Sequence, residues 1–286
     1  MNPLAAIGPA TSLLSSALPS PPPGFAPLWF RNELIGAVSP TWLPHLDNRL
    51  FKLGEINEDG QSVVRIRGGD RRGESGLVPA PTLNRWFAEW AESLRSRELL
   101  PGWRGEIVHL YGVGESESLL QVERSLVRPL GLLLRTVQVN VFSLQDKRLK
   151  IWVARRADSK PVDPGKLDCL VAGGIAGDET PLEALVRECQ EEAGIPRALA
   201  RRAVPVGVID SIAPAMDGAT PILHRERATL YDLKVSLEFS PAPTDAEFAQ
   251  VQCLPAVKVL DSLASDAWTR EGARATRDLI ARRGPA

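Results

Sequence analysis

The chain has 286 residues, which is enough for one large domain or two ordinary ones. Its 34 Lys and Arg residues are balanced by 35 Asp and Glu residues, for a formal net charge of −1 at pH 7. Because this balance leaves no basic excess to neutralise a phosphate backbone, we expect no nucleic-acid partner. No run of about 18 apolar residues occurs, so we expect neither a transmembrane helix nor a membrane partner.

Two further sequence features bear on location. The three cysteines, Cys169, Cys189 and Cys253, are odd in number and follow neither a zinc-site spacing nor a disulfide framework. No Lys or Arg precedes Arg31, which argues against a secretory or organellar signal. We therefore expect a reducing, cytoplasmic location.

The first half of the chain predicts a flexible tail followed by a small α+β domain. Residues 1–27 are rich in Pro, Ser, Ala and Gly, which is typical of a tail. Residues 28–132 contain the strand-like segments ELIGAVS, RLFKLGEI and GEIVHLYGV, and a helix TLNRWFAEWAESLRSREL with Thr82 as its N-cap. The helix carries apolar residues at helical spacing, which favours packing on a sheet over an aromatic ligand platform. These residues are Leu83, Trp86, Phe87, Trp90, Ala91 and Leu94.

Residues 133–286 predict a second domain of the α/β class. The segments TVQVNVFSL and LKIWVARR read as a strand pair, and LDCLVAGG as a third strand that ends in glycines. An acidic helix follows, then the strands AVPVGVIDSI and ATLYDLKVSL and a final helix EGARATRDLIARR. Strands on both sides of a central helix predict an α/β sandwich.

The acidic helix has clear sequence boundaries. Thr180 and Glu183 form a capping box, Pro181 suits the first helical position, and Gly194 suits the C-terminal stop, so the helix is predicted over residues 181–193. Its apolar face is predicted to be buried. That face comprises Leu182, Leu185, Val186, Cys189 and Ala193.

Three glutamates, Glu188, Glu191 and Glu192, lie together beside that face, which helix physics disfavours. Each like-charged pair at i+3 or i+4 costs about 0.2–0.5 kcal/mol, and anions at a helix C-terminus lose about 0.3–1 kcal/mol more. Mg²⁺ or Mn²⁺ would reverse this deficit, since both prefer carboxylate oxygens. Taken alone, the carboxylates leave a metal site and a solvated acidic face both open.

The spacing of the residues around the helix favours the metal site. The chain matches the pattern G-x5-E-x7-R-E-U-x-E-E-x-G-U at every fixed position, with Cys189 where a bulky aliphatic residue is usual. The matching residues are Gly173, Glu179, Arg187, Glu188, Cys189, Glu191, Glu192, Gly194 and Ile195. The pattern is the Nudix box, so this region resembles a Nudix hydrolase.

The resemblance implies a Nudix α/β/α sandwich that hydrolyses a small-molecule diphosphate with Mg²⁺ or Mn²⁺. It implies Glu188 and Glu192 as metal ligands, with the Gly173 backbone close to the metal. Glu191 is implied as a ligand or as the catalytic group that orients water, and Arg187 as the residue that braces the glutamates. Many family members take a further carboxylate from outside the box. Glu226 and Glu247 are both candidates for it.

Segments outside the box resemble one subgroup, the Nudix domains of proteins related to thiamine pyrophosphokinase. They are VARRADSKPVDPGKLDCLVAGG, RERATLYDLKV and PTDAEF, together with LIGAVSP, GWRGEIVHLYG and VERSLVRPLGLL in the first domain. The resemblance implies hydrolysis of damaged or antagonistic thiamine diphosphates, such as oxothiamine and oxythiamine diphosphate, to monophosphates. It favours Arg156 and Lys160 as contacts of the diphosphate. Asp168 could accept a hydrogen bond from the substrate or simply end a strand.

Other functions remain open at this point. The box is equally compatible with hydrolysis of ADP-ribose, dinucleotides or other nucleoside diphosphate derivatives. A non-catalytic, ligand-sensing Nudix domain is a further alternative, although such domains often lose box glutamates. The first domain is expected either to shape the pocket or to mediate a homodimer.

Overall fold

The computed structural model divides into two compact units. It describes residues 21–31, 33–56, 62–68, 78–100, 102–103, 105–111, 118–146, 148–160, 162–217, 220–242 and 247–284. Most of the predicted tail, residues 1–20, lies outside the described residues. Among the described helices, none has the length and apolar character that a membrane crossing needs.

The first unit runs to Leu134, close to the predicted boundary at 132/133. It also takes in Ala176–Asp178 and Ile212–Arg225, which the sequence analysis places in the second domain. The second unit comprises Arg135–Ile175, Glu179–Ser211 and the chain from Glu226 onwards. Two strands of the second unit, Val204–Asp217 and Thr220–Lys234, are longer than predicted. Their adjoining ends, from Ile212 to Arg225, group with the first unit.

In the first unit, four strands form a sheet in the order β2-β1-β4-β3, with β1 and β4 parallel. They are β1 (Ala26–Phe30), β2 (Glu33–Val38), β3 (Phe51–Ile56) and β4 (Ser62–Ile66), followed by α1 (Ala80–Ser96) and a hairpin of β5 (Ile107–Tyr111) and β6 (Ser118–Glu123). The predicted α+β character of this region agrees with these elements.

Helix α1 is a packing helix, as its apolar spacing predicts. Leu83, Phe87, Trp90, Ala91 and Leu94 are buried in the core of the first unit, and Trp86 packs against that core. The predicted N-cap was wrong, because Pro79 is the N-cap and Thr82 lies inside the helix. Pro81 explains the earlier start, since proline is tolerated in the first turn, where its missing N–H has no intrahelical partner.

The second unit is built on a sheet in the order β11-β12-β7-β8-β13, with β10 paired to β7 and β9 to β8. Its strands are β7 (Leu134–Gln145), β8 (Arg148–Arg156), β9 (Leu167–Cys169), β10 (Val171–Gly174), β11 (Val204–Asp217), β12 (Thr220–Lys234) and β13 (Phe248–Pro255). Its helices are α2 (Pro181–Ala193), α3 (Arg197–Ala200), α4 (Ala256–Ser262) and α5 (Arg270–Arg283). The sequence analysis did not identify β13, α3 or α4.

Helices cover both faces of this sheet, so the predicted α/β/α sandwich is confirmed. Val137, Val139 and Val141 of β7 join the core that contains Leu185 and Cys189 of α2. Because side chains alternate along a strand, Asn140 points to the opposite face. There its amide donates to the carbonyl of Ala275 in α5, 3.2 Å away. Strand β7 therefore supports α2 on one face and α5 on the other.

Candidate active site

Helix α2 has the bounds and caps that the sequence predicts. The Thr180 hydroxyl accepts the Glu183 N–H, the Glu183 carboxylate accepts the Thr180 N–H, and Gly194 adopts a left-handed conformation with φ of 61°. The Gly194 conformation favours glycine. The backbone of Ala242 lies against Gly194, and the Ala242 N–H donates to the Ala193 carbonyl at 2.9 Å. Gly194 therefore ends the helix and also leaves room for the backbone of Ala242.

The three box glutamates that lie in α2 have different environments. Glu188 and Glu192 are buried, with 8% and 5% of their surface exposed, whereas the Glu191 side chain is 49% exposed. The predicted grouping of all three therefore resolves into two buried carboxylates and one that remains open to solvent.

Arg187 binds Glu188 and Glu191, two of these three glutamates, and the resemblance implies such a bracing role. Its guanidinium binds both carboxylate oxygens of Glu179 at 2.8 and 2.9 Å, and donates to Glu188 at 2.7 Å and Glu191 at 3.2 Å. It also donates to the Gly174 carbonyl at 2.8 Å, which links the helix to the end of β10. The carboxylate of Glu179 contributes most to raising the Arg187 pKa, so the guanidinium stays charged.

Gly173 leaves the space that Glu188 occupies. A Cβ atom at Gly173 would overlap the carboxylate of Glu188. Gly173 lies in β10 opposite Val137 of β7, so the sheet fixes its position. The first residue of the box therefore has no side chain because the Glu188 carboxylate occupies the space that a side chain would fill.

Glu192 lies beside a carboxylate from outside the box. Its Oε2 accepts the Ala172 N–H at 2.8 Å. Burial raises the pKa of Glu192 well above its usual value, and interactions with the Glu247 and Glu188 carboxylates raise it further. Of the two candidates for the extra carboxylate, the structure thus brings Glu247 to Glu192. The other, Glu226, accepts a hydrogen bond from the Thr136 hydroxyl at 2.8 Å.

The residues present fit a divalent cation through their donor chemistry. Glu188, Glu192 and Glu247 supply hard oxygen donors, and a cation would offset both the burial and the neighbouring carboxylates that raise the Glu192 pKa. As the side chains stand, no group of three or more His, Cys, Asp or Glu residues in the described chain has converged into ligand geometry. Glu188 is instead turned toward Arg187.

The structure separates the three predicted substrate contacts. The Lys160 ammonium pairs with the Glu247 carboxylate, which brings it to the glutamates. Arg156 donates to the Val162 carbonyl at 3.2 and 3.0 Å, and its Nη1 lies 3.5 Å from Asp168. Arg156 and Asp168 thus contact each other rather than the glutamates.

Asp168 lies at the N-terminus of α5. It is buried, it accepts the N–H of Cys169 at 2.8 Å, and it also interacts with the Thr269 hydroxyl that caps the helix. A Cβ atom at Gly272 would overlap its carboxylate. Asp168 is the middle residue of β9, so the alternative that it ends a strand was wrong, and its buried carboxylate packs against the start of α5.

Asp168 is expected to make the fold less stable as the pH rises. Burial raises its pKa from 3.8 to about 6, so between these values the folded chain binds more protons than the unfolded chain. The free energy of unfolding should then fall by up to about 3 kcal/mol between pH 4 and pH 7. Urea unfolding of the wild type and Asp168→Asn across this range measures the effect. Equal pH dependence of the two proteins would contradict it.

One row of polar residues was missed by the sequence analysis. Thr136, Gln138 and Asn140 alternate with three valines in β7, and all three are buried. The signal was present in TVQVNVFSL, because polar residues at period two in a strand covered on both faces must be buried. The segment was assigned only as a strand.

The box residues therefore keep, in three dimensions, the arrangement that their spacing implies. A family model described as the NUDIX domain matches residues 134–276, half of the chain, and the chain belongs to the Nudix family.

Two curated relatives come from Arabidopsis thaliana. Nudix hydrolase 24, chloroplastic, is 32% identical over 166 residues, which cover 58% of this chain and 44% of that protein. Nudix hydrolase 20, chloroplastic, is 30% identical over 235 residues, which cover 82% and 61%. The chain thus spans less than two thirds of the length of either relative. Among solved structures, DR0079 from Deinococcus radiodurans matches with a TM-score of 0.43 at 22% identity, covering 63% of this chain and 99% of that one.

Proposed function

We propose that the chain hydrolyses the P–O–P linkage of a small-molecule diphosphate with Mg²⁺ or Mn²⁺. The observation that carries this proposal is the burial of Glu188 and Glu192 beside Gly173, with Glu247 against Glu192. Clustered buried carboxylates are costly unless a cation compensates them.

The residues divide the chemistry among them. Glu188, Glu192 and Glu247 would hold the cation, and Arg187 fixes Glu188 and Glu191. When bound, a divalent cation neutralises phosphate charge and acidifies its bound water. Half-exposed Glu191 would orient the attacking water or take its proton. The water oxygen bonds to one phosphorus as the bond from that phosphorus to the bridging oxygen breaks, which yields a monophosphate ester and phosphate.

Within this class, we propose damaged thiamine diphosphates, such as those of oxothiamine and oxythiamine, as substrates. Two segments that resemble the thiamine-related subgroup meet at one corner of the sheet. Arg156 of β8 pairs with Phe248 of β13, and the Ala157 N–H donates to the Glu247 carbonyl at 2.9 Å. That corner carries Lys160 and Glu247, so the subgroup resemblance coincides with the carboxylate cluster.

A substrate panel tests the proposal. Phosphate release is measured with oxothiamine, oxythiamine and thiamine diphosphates, and AMP release is measured with ADP-ribose, each with Mg²⁺, with Mn²⁺ and with EDTA. The damaged thiamine compounds should exceed the others by at least about tenfold in kcat/KM, as expected when a buried polar group matches only one ligand. Preference for ADP-ribose would overturn the thiamine assignment and keep the hydrolase. Ligand binding without hydrolysis of any of these compounds would instead identify a sensing domain.

Paired substitutions test which extra carboxylate serves the metal. Glu247→Gln should raise the Mg²⁺ concentration for half-maximal activity by about tenfold or more, whereas Glu226→Gln should change it by less than about threefold. The reason is that Glu247 contacts Glu192, while Glu226 contacts Thr136. Mg²⁺ titrations of initial rates measure both. A larger shift for Glu226→Gln would reverse the assignment.

A further inference from the structure

The face of β7 opposite α2 holds a buried amide, that of Gln138, whose oxygen atom is not used by the described part of the fold. Thr136 donates to Glu226 at 2.8 Å, and Asn140 donates to Ala275 at 3.2 Å and to Asp232 at 3.4 Å. Gln138 lies between them with 4% of its surface exposed. Its Oε1 atom has no hydrogen-bond partner among the described residues. Folded proteins rarely leave a buried amide oxygen in this state, so it calls for an explanation.

The position of Gln138 connects it to the carboxylate cluster. Gln138 lies directly opposite Ala172 in the antiparallel β7–β10 pair, and the Ala172 N–H binds Glu192. Neighbouring strands are about 4.8 Å apart, so Gln138 is one strand away from the residue that holds Glu192. Directly opposed residues point to the same face, and the methyl group of Ala172 cannot satisfy the amide.

The chemistry of this face selects a ligand that carries hydrogen-bond donors. Gln138 offers a carbonyl oxygen, and Glu226 reaches the same face through its bond with Thr136. Both groups accept hydrogen bonds, and Glu226 adds negative charge. A nitrogen heterocycle that presents an N–H group matches these acceptors.

We propose that Gln138 is a specificity residue, whose amide oxygen accepts an N–H of the heterocycle attached to the diphosphate. This inference rests on the proposed function, since it assigns a recognition contact to the same site. A site built to bind an N–H group rejects analogues that lack it, because the buried acceptor then stays unmatched.

The test compares Gln138→Met with Gln145→Met, which makes the same change at an exposed position of the same strand. The substrates are oxythiamine diphosphate and dimethylallyl diphosphate, which has no heterocycle. Gln138→Met should lower kcat/KM for the first by about ten- to a hundredfold and for the second by less than about threefold. Its Tm should not fall, because an unmatched polar atom is removed. Gln145→Met should behave as the wild type.

Affinity for oxythiamine monophosphate, measured by calorimetry without metal, gives a readout independent of turnover. Gln138→Met should weaken it by a similar factor. Unchanged affinity, equal losses with both diphosphates, or a Tm lowered by several degrees would each overturn the role of Gln138. A wild type that hydrolyses no diphosphate would instead overturn the proposed function, and the calorimetric comparison would still decide whether Gln138 contacts the heterocycle.

Discussion

Glu192→Gln is expected to lower metal-dependent turnover by about a hundredfold or more, as when a metal ligand is removed. The amide can still accept the Ala172 N–H, so the local backbone contact survives. The amide lacks the charged carboxylate oxygen that interacts with Glu188 and Glu247 in the wild type. Initial rates over a range of Mg²⁺ and Mn²⁺ concentrations measure the loss.

The stability of this variant separates a catalytic role from a structural one. A neutral amide costs less to bury than a carboxylate, so the Tm of Glu192→Gln should be unchanged or higher. Glu183→Gln is the matched control, because it makes the same change on the same helix at an exposed capping position where Gln is also suitable. Wild-type rates for Glu192→Gln, or equal losses in both variants, would contradict the metal role.

Gly173→Ala is expected to lower turnover by at least about tenfold while the chain stays folded, because a misplaced catalytic group is costly to the rate. The added methyl group would overlap the carboxylate of Glu188, which must then move away. The side chain of Glu188 is flexible, so its displacement costs little folding free energy. The initial rate tests the loss of turnover, and the Tm of the same preparation tests whether the chain stays folded.

The control for this change is Gly207→Ala. Gly207 lies in the edge strand β11, and a Cβ atom there would meet no atom within 4 Å. Its activity should match that of the wild type. If Gly173→Ala kept full activity, Glu188 would not need its observed position, and the metal assignment of Glu188 would be wrong.

The sequence predicted the parts of the site that depend on local chemistry. The bounds of α2 follow from Thr180, Glu183 and Gly194, which act within one turn of each helix end. The resemblance implies that Arg187 braces the glutamates, but it did not single out Glu179, whose two carboxylate oxygens bind the guanidinium.

The remaining parts of the site depend on which strands pair in the sheet, and local sequence patterns do not encode that pairing. Glu247 reaches Glu192 because β13 pairs with β8, and β13 was not recognised. Its residues Ala249 and Gln250 are exposed and most of the others only half-buried, so the strand lacks a clear apolar alternation. Glu226 and Glu247 were therefore equivalent in sequence and became distinct only through the sheet.

The contact between Gly194 and Ala242 bears on where the extra carboxylate is found in related sequences. Ala242 is fastened to the end of α2, and Glu247 follows it by five positions. The chain ahead of Ala242 can therefore change in length without shifting this attachment to α2, five positions before Glu247. In homologues, the carboxylate that corresponds to Glu247 should be located by counting forward from the residue that corresponds to Ala242, rather than by counting from the Nudix box.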